Sequence, residues 1–138
     1  MANQQILLGA AGKASIPYID DFFHQNTYKG TGGSHTITNN IDLAKGGLVW
    51  TKANNQGWSS GLTDNKVGLN KVRCTNESVG DYTKTDEITS FTSTGYTLGA
   101  SAGGHVNNSS GNYNAYSFRT SPGFLILLPT LEMGKTVE

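Results

Sequence analysis

Apolar residues in this chain recur with a period of two, in short runs separated by clusters of Gly, Asn, Ser and Asp. That spacing is the signature of half-buried β-strands, in which successive side chains point to opposite faces. The clearest run is Leu48-Val49-Trp50-Thr51-Lys52, introduced by Gly46-Gly47. Leu48 and Trp50 share one face of it, Val49 and Thr51 the other. Residues 25–29 and 34–41 read as two earlier strands, joined by Gly30-Thr31-Gly32-Gly33. Ile88 to Thr92 and Tyr96 to Gly99 form a hairpin around Ser93-Thr94-Gly95, where Gly95 is free to take a positive φ. Asn112 to Arg119 is the last strand, with Asn114, Tyr116 and Phe118 on one face and Tyr113 and Ala115 on the other. A weaker pair is expected around Asn70-Lys71, using Val67, Leu69, Val72 and Cys74. Residues 54–64, 76–86 and 100–111 read as loops, the last of them long and exposed. No run keeps helical periodicity beyond about two turns. The pattern predicts an all-β fold, an antiparallel two-sheet β-sandwich with little helix. Its expected core is Leu48, Trp50, Ile88, Phe91, Leu98, Tyr116 and Phe118.

Composition agrees and narrows the function classes. Gly is abundant at 18 residues and charged residues make up only 14%, a mix that disfavours helices. At 138 residues there is chain for one domain. The formal net charge is zero and no Lys/Arg run occurs, so attraction to nucleic acid or to an anionic membrane surface has no source. No stretch reaches the length of a transmembrane helix. The opening residues lack the basic start and long apolar run of a signal peptide, so synthesis in the cytoplasm is expected.

The polar character ends abruptly at Phe124, after which the chain reads Phe-Leu-Ile-Leu-Leu-Pro-Thr-Leu-Glu-Met-Gly. Back-translated and read out of frame, this tail permits a string ending Thr-Tyr-Thr-Gly-Asn-Gly. That string is similar to Asn26-Thr27-Tyr28-Lys29-Gly30-Thr31-Gly32. Three parts are therefore expected: a leader or attachment segment over 1–24, a β-sandwich module over 25–123, and an atypical tail over 124–138. The tail would be the frame-shifted start of a second module.

Candidate chemistry is sparse. The histidines, His24, His35 and His105, follow no ligand spacing. Asp64-Asn65 and Asp81 offer oxygen donors for calcium, but no calcium-loop pattern surrounds them, and no metal is expected. Asp20-Asp21 and Asp86-Glu87 read as solvated loop acids. Gly30 to Gly33 lacks the Lys-Ser/Thr and helix of a phosphate-binding loop. Cys74, the single cysteine, excludes an internal disulfide and reads as a small buried hydrophobe. Trp50 alternates in register with Leu48 and reads as core. The candidate ligand-binding residues are Trp58, set among Gly57 and Ser59-Ser60, and His105 in the Gly/Ser loop. No catalytic set and no cofactor are expected.

Three stretches together resemble a known family. They are Met1-Ala2-Asn3-Gln4 through Leu7-Leu8-Gly9-Ala10 with Tyr18-Ile19-Asp20-Asp21-Phe22; Thr36 to Leu43 running into Gly46 to Lys52; and Thr89 to Gly99 followed by Tyr116-Ser117-Phe118-Arg119. The chain resembles the N-terminal module of tail-fibre-like virion proteins of marine tailed phages. Ser121-Pro122-Gly123-Phe124 matches that family's junction between units, while Tyr116 stands where the family pattern has Trp. The resemblance implies a jelly-roll or concanavalin/laminin-G-like sandwich without catalytic residues. It also implies a virion location, other virion or tail proteins as partners, and assembly or host-surface contact as the role. A lectin-like, carbohydrate-binding module is the alternative. A host-surface glycan and a homo-oligomer are compatible with either.

Overall fold

The computed structural model describes residues 17–101 and 103–128. Its strands are β1 (Phe23–Lys29), β2 (His35–Thr38), β3 (Gly47–Ala53), β4 (Gly61–Asp64), β5 (Lys71–Val72), β6 (Tyr82–Thr83), β7 (Ile88–Thr92), β8 (Gly95–Leu98) and β9 (Asn112–Arg119). The helical content among the described residues is two single 3-10 turns, Ile19–Asp21 and Leu43–Lys45. All pairings are antiparallel. One sheet has the order β1-β9-β3-β4, the second β2-β8-β7, and β5-β6 form a small ribbon. That ribbon is tied to β4 by a reciprocal pair of 2.9 Å bonds between Leu62 and Arg73. The predicted all-β, antiparallel sandwich is the architecture observed.

The two larger sheets pack through one core. Val49 and Ala115 come from the first sheet, Ile37, Ile88, Tyr96 and Leu98 from the second, and Ile41, Leu43 and Val106 from the connections. Hydrogen bonding continues across the interior, where Asn39 Nδ2 donates to Ser117 Oγ at 2.8 Å and both residues are buried. The hairpin β7–β8 forms as expected. Gly95 has φ 151°, and a Cβ there would lie 2.1 Å from the Ile37 carbonyl oxygen, so β2 can approach only a glycine.

Strand periodicity was legible, but the choice of inner face was not. Trp50 is 39% exposed, and Leu48, Tyr116, Phe118 and Phe91 are only partly buried. Ile88 and Leu98 are buried as expected. The inner face of β3 carries Val49, Thr51 and Ala53, and that of β9 carries Tyr113, Ala115 and Ser117. The reason is volume. The second sheet fills the gap between layers with Ile37, Ile88, Tyr96 and Leu98, so most facing positions on the first sheet must be small. Ranking faces by apolar size selects the wrong side.

Two loop readings also change. Residues 65–70 are turn rather than strand, and β5 pairs with β6 across residues expected to be all loop. The loop over 100–111 is not exposed throughout, because Val106 and Asn107 are fully buried and Ser101 nearly so. At the start, β1 begins at Phe23, inside the segment read as leader; residues 1–16, most of that leader, lie outside the described residues.

β9 ends at Arg119, and Ser121 then bridges to Leu125 through a turn at Pro122-Gly123. Phe124 packs its ring 5.6 Å from that of Phe22, while Ile126 and Leu128 are 70% and 77% exposed. Residues 129–138 lie outside the described residues, and with them most of the expected frame-shifted module. Truncation after Gly123 should therefore cost less than about 1 kcal/mol, a melting shift within about 4 °C, while reducing aggregation. Thermal melting and light scattering of the truncated chain check this. A larger loss of stability would make the tail part of the fold.

Candidate functional site

Three connections converge on His105: the one after β3, the one carrying Cys74 to Glu87, and the one after β8. Thr51, facing inward from β3, places its hydroxyl 2.8 Å from the His105 carbonyl and 3.2 Å from that of Gly61. This anchors the backbone of the β8–β9 connection to the first sheet. The imidazole then lies between two partners. His105 Nδ1 is 2.9 Å from Glu87 Oε1, and Nε2 is 3.5 Å from Cys74 Sγ. Glu87 is completely buried, Cys74 is 2% exposed, and the His105 side chain is 17% exposed. A carboxylate only accepts, so Glu87 fixes a proton on Nδ1 and turns Nε2 toward the sulfur. The second oxygen, Glu87 Oε2, is buried without a partner among the described residues.

Glu77 completes the surroundings. Its backbone N–H donates to the Cys74 carbonyl at 3.3 Å, closing a turn between the two residues. Ser59 Oγ donates to one carboxylate oxygen of Glu77 and Tyr82 Oη to the other, the latter at 2.8 Å. These bonds, Ser59 first, hold the exposed Glu77 carboxyl below its ordinary value. The Tyr82 ring lies 6.1 Å from the imidazole. Burial pushes the Cys74 thiol up, helped by the negative charges of Glu77 and Glu87. Thiol, imidazole and carboxylate stand in the order of an activated nucleophile, yet an enclosed thiol with a raised pKa is the reverse of what such a nucleophile needs.

Trp58 is half-buried against the residue before His105. A Cβ on Gly104 would lie 2.6 Å from the Trp58 ring, so glycine is what lets the indole pack there. Lys52 Nζ donates to the Trp58 carbonyl and holds the loop down. The structure thus makes Trp58 and His105 neighbours, although both ring nitrogens of His105 face partners within the chain. His24 is exposed on β1, and His35 contacts Thr31 Oγ1 and the Gly33 carbonyl at 3.1 and 3.2 Å. Asp64 accepts from the Lys66 and Val67 amides, and Asp81 pairs with Arg73, so these acids serve local structure.

A second surface lies on the outer face of the first sheet. In register, Gln25, Tyr116, Trp50 and Leu62 form one row across β1, β9, β3 and β4; Phe23, Phe118 and Leu48 form the next. The Trp50 and Tyr116 rings lie 5.8 Å apart at 39°. Thr27, Asn114 and Lys52 flank them with polar groups.

Residues 19–124 match the model of a family described as a domain of unknown function, DUF7483. The chain belongs to the DUF7483 family. No curated protein and no solved structure matches it. The matched DUF7483 segment takes in every strand from β1 to β9, so both the His105 cluster and the Trp50–Tyr116 face belong to the family domain.

Sequence reasoning missed Cys74 and Glu87 as partners of His105. For Cys74 the expectation of burial holds, but residues so far apart in the chain gave no signal of contact. For Glu87 a signal existed: it directly precedes the first buried residue of β7, a poor place for a solvated acid.

Proposed function

We propose that this chain is a β-sandwich module of a phage tail fibre or related virion appendage, acting by contact rather than catalysis. Its expected partners are other tail proteins or the host surface, and its expected location is the virion. The resemblance carried by Thr36 to Lys52, Thr89 to Gly99 and Tyr116 to Arg119 supplies the virion context. The structural observation that carries the contact role is the outer face of the first sheet, where Trp50 and Tyr116 present aromatic surface among amide and ammonium groups. Aromatic residues left open on a rigid sheet are the usual anchors of contact surfaces. Immunogold labelling of particles from a phage that encodes the chain should decorate the tail. Label absent from particles, with the chain present in the lysate, overturns the reading.

The second reading is a lectin-like, concanavalin-type module. The same Trp50–Tyr116 pair favours it, since an exposed indole beside a partly buried tyrosine ring, bordered by Gln25, Asn114 and Lys52, suits the apolar face and hydroxyls of a sugar. Glycan binding lost in Trp50→Ala and kept in Trp58→Ala would assign it to the sheet. The reverse pattern would assign it to the loop carrying Trp58 and His105.

A further inference from the structure

We propose that the open edge of the first sheet pairs with the same edge of a second copy of this chain, β1 against β1, antiparallel about Asn26. The proposal goes beyond the contact role above and does not depend on the virion reading. β1 ends the order β1-β9-β3-β4 and has no neighbour on its other side among the described residues. Its hydrogen-bond phase follows from the two ends of its ladder with β9. Gly30 N–H donates to the Gly111 carbonyl at 2.9 Å, and Arg119 N–H donates to the Phe22 carbonyl at 2.7 Å. Antiparallel pairs alternate between bonded and non-bonded, and the register between these ends is unbroken. His24, Asn26 and Tyr28 therefore bond to β9, while the N–H and C=O groups of Phe23, Gln25, Thr27 and Lys29 point away from it.

The other edges of the two larger sheets are blunted, and this one is not. β2 and β4 have four residues each, and β4 is already bridged to Arg73 at Leu62. β7 carries a register irregularity between Ile88 and Ser90. β1 runs for seven residues without a proline or a bulge, and its one lysine, Lys29, stands at its end. Such a strand is a template for another.

The side chains favour a second copy as the occupant. Pairing about Asn26 sets Phe23 opposite the partner's Lys29 and Gln25 opposite the partner's Thr27. All outward residues then fall in bonded pairs, no like charges oppose, and each ammonium meets an aromatic ring. On the inner face the two Asn26 side chains come directly opposite, in a non-bonded pair, where side chains stand closest. Asn26 Oδ1 is buried without a hydrogen-bond partner among the described residues, and the partner's Asn26 amide supplies the donor. The tail does not compete for this edge, since Leu125 to Leu127 line a cavity with Asn65 and Lys66, just past the end of β4. The two-fold axis stands perpendicular to the sheet, so both Trp50–Tyr116 faces lie on one side of a continuous sheet with four strands from each copy. An edge contact is smaller than a standard interface, and dissociation in the micromolar range or weaker is expected.

Sedimentation equilibrium of the full chain should show a monomer–dimer equilibrium. Thr27→Pro removes an outward N–H and leaves the ladder with β9 intact, so the melting temperature should hold. By symmetry two bonds are lost, and the dissociation constant should rise roughly tenfold or more. Gln25→Cys chains mixed with Thr27→Cys chains should oxidise to the mixed disulfide in preference to either homodimer, because a bonded pair holds its Cα atoms about 5.5 Å apart. Should Thr27→Pro not fold, a Gln25→Lys, Thr27→Lys double variant, which opposes like charges at exposed positions, takes its place and should stay monomeric. An unaltered chain that is monomeric at millimolar loading overturns the proposal. So does a dimer that the folded variant does not weaken, or one in which the mixed disulfide is not preferred.

Discussion

His105→Ala is expected to destabilise the protein by about 2–3 kcal/mol, toward the upper end of the cost of leaving a buried hydrogen-bonding group without its partner. The cause is the carboxyl left behind. Glu87 has no exposure, and among the described residues its one side-chain bond is to the imidazole. Without that ring, the group must stay unpaired in the interior, take up a proton, or open the fold to water, and each costs free energy. The effect should not be confused with loss of imidazole packing. A His105→Leu, Glu87→Leu double variant removes both polar partners and keeps apolar volume, so it should recover most of the loss. Denaturant unfolding of the single and double variants measures this. A loss below about 1 kcal/mol for His105→Ala would show that water already solvates Glu87. A double variant no better than the single would show that the cost lies in shape.

What the sequence revealed and what it concealed follow from the range of the signals. Alternation is local, so β3, the β7–β8 hairpin and β9 were visible in a few neighbouring residues each. The choice of inner face depends on what packs opposite, which comes from the other sheet. Trp50 was assigned to the core for alternating in register with Leu48, and Tyr116 with it, yet the space opposite β3 and β9 is already filled by Ile37, Tyr96 and Leu98. β5 and β6 are two-residue strands, below the length at which any period can be recognised. Trp58 and His105 were chosen for lying in loops, and their adjacency depends on Gly104 and on the Thr51 hydroxyl, which a residue-by-residue reading does not connect. The polar loop over 100–111 misled in the same way. Gly, Ser and Asn reported turn chemistry correctly, but whether such a turn faces water depends on the carbonyls and amides waiting beneath it.

Asn107 shows how much those buried groups can demand, and its replacement carries the other large expected effect. Its side-chain nitrogen donates to the carbonyls of Gly33 and Gly99 at 2.8 and 2.7 Å, and its side-chain oxygen accepts from the Thr31 amide at 3.0 Å. Its own carbonyl accepts from Gly32 N–H at 2.7 Å. The residue is completely buried and joins the β1–β2 turn to the end of β8. Asn107→Ala keeps the backbone bond and removes the other three. Thr31 and Gly33 are exposed and can turn to water, whereas Gly99 is buried and cannot. Discounted in that way, the expected loss is about 2–4 kcal/mol. Asn107→Asp, with nearly the same shape, should be at least as damaging near neutral pH. An ionised carboxylate would face two carbonyl oxygens where an amide had donated. Acidification should partly relieve the Asp variant, since a protonated carboxyl regains one donor, and should leave the Ala variant without such relief. Urea unfolding of both proteins at neutral and mildly acidic pH separates these outcomes. Equal, small losses at every pH would mean that the loop holds its shape through the backbone and the tyrosines, Tyr28 to the Val106 carbonyl and Tyr113 to that of Gly104, rather than through Asn107.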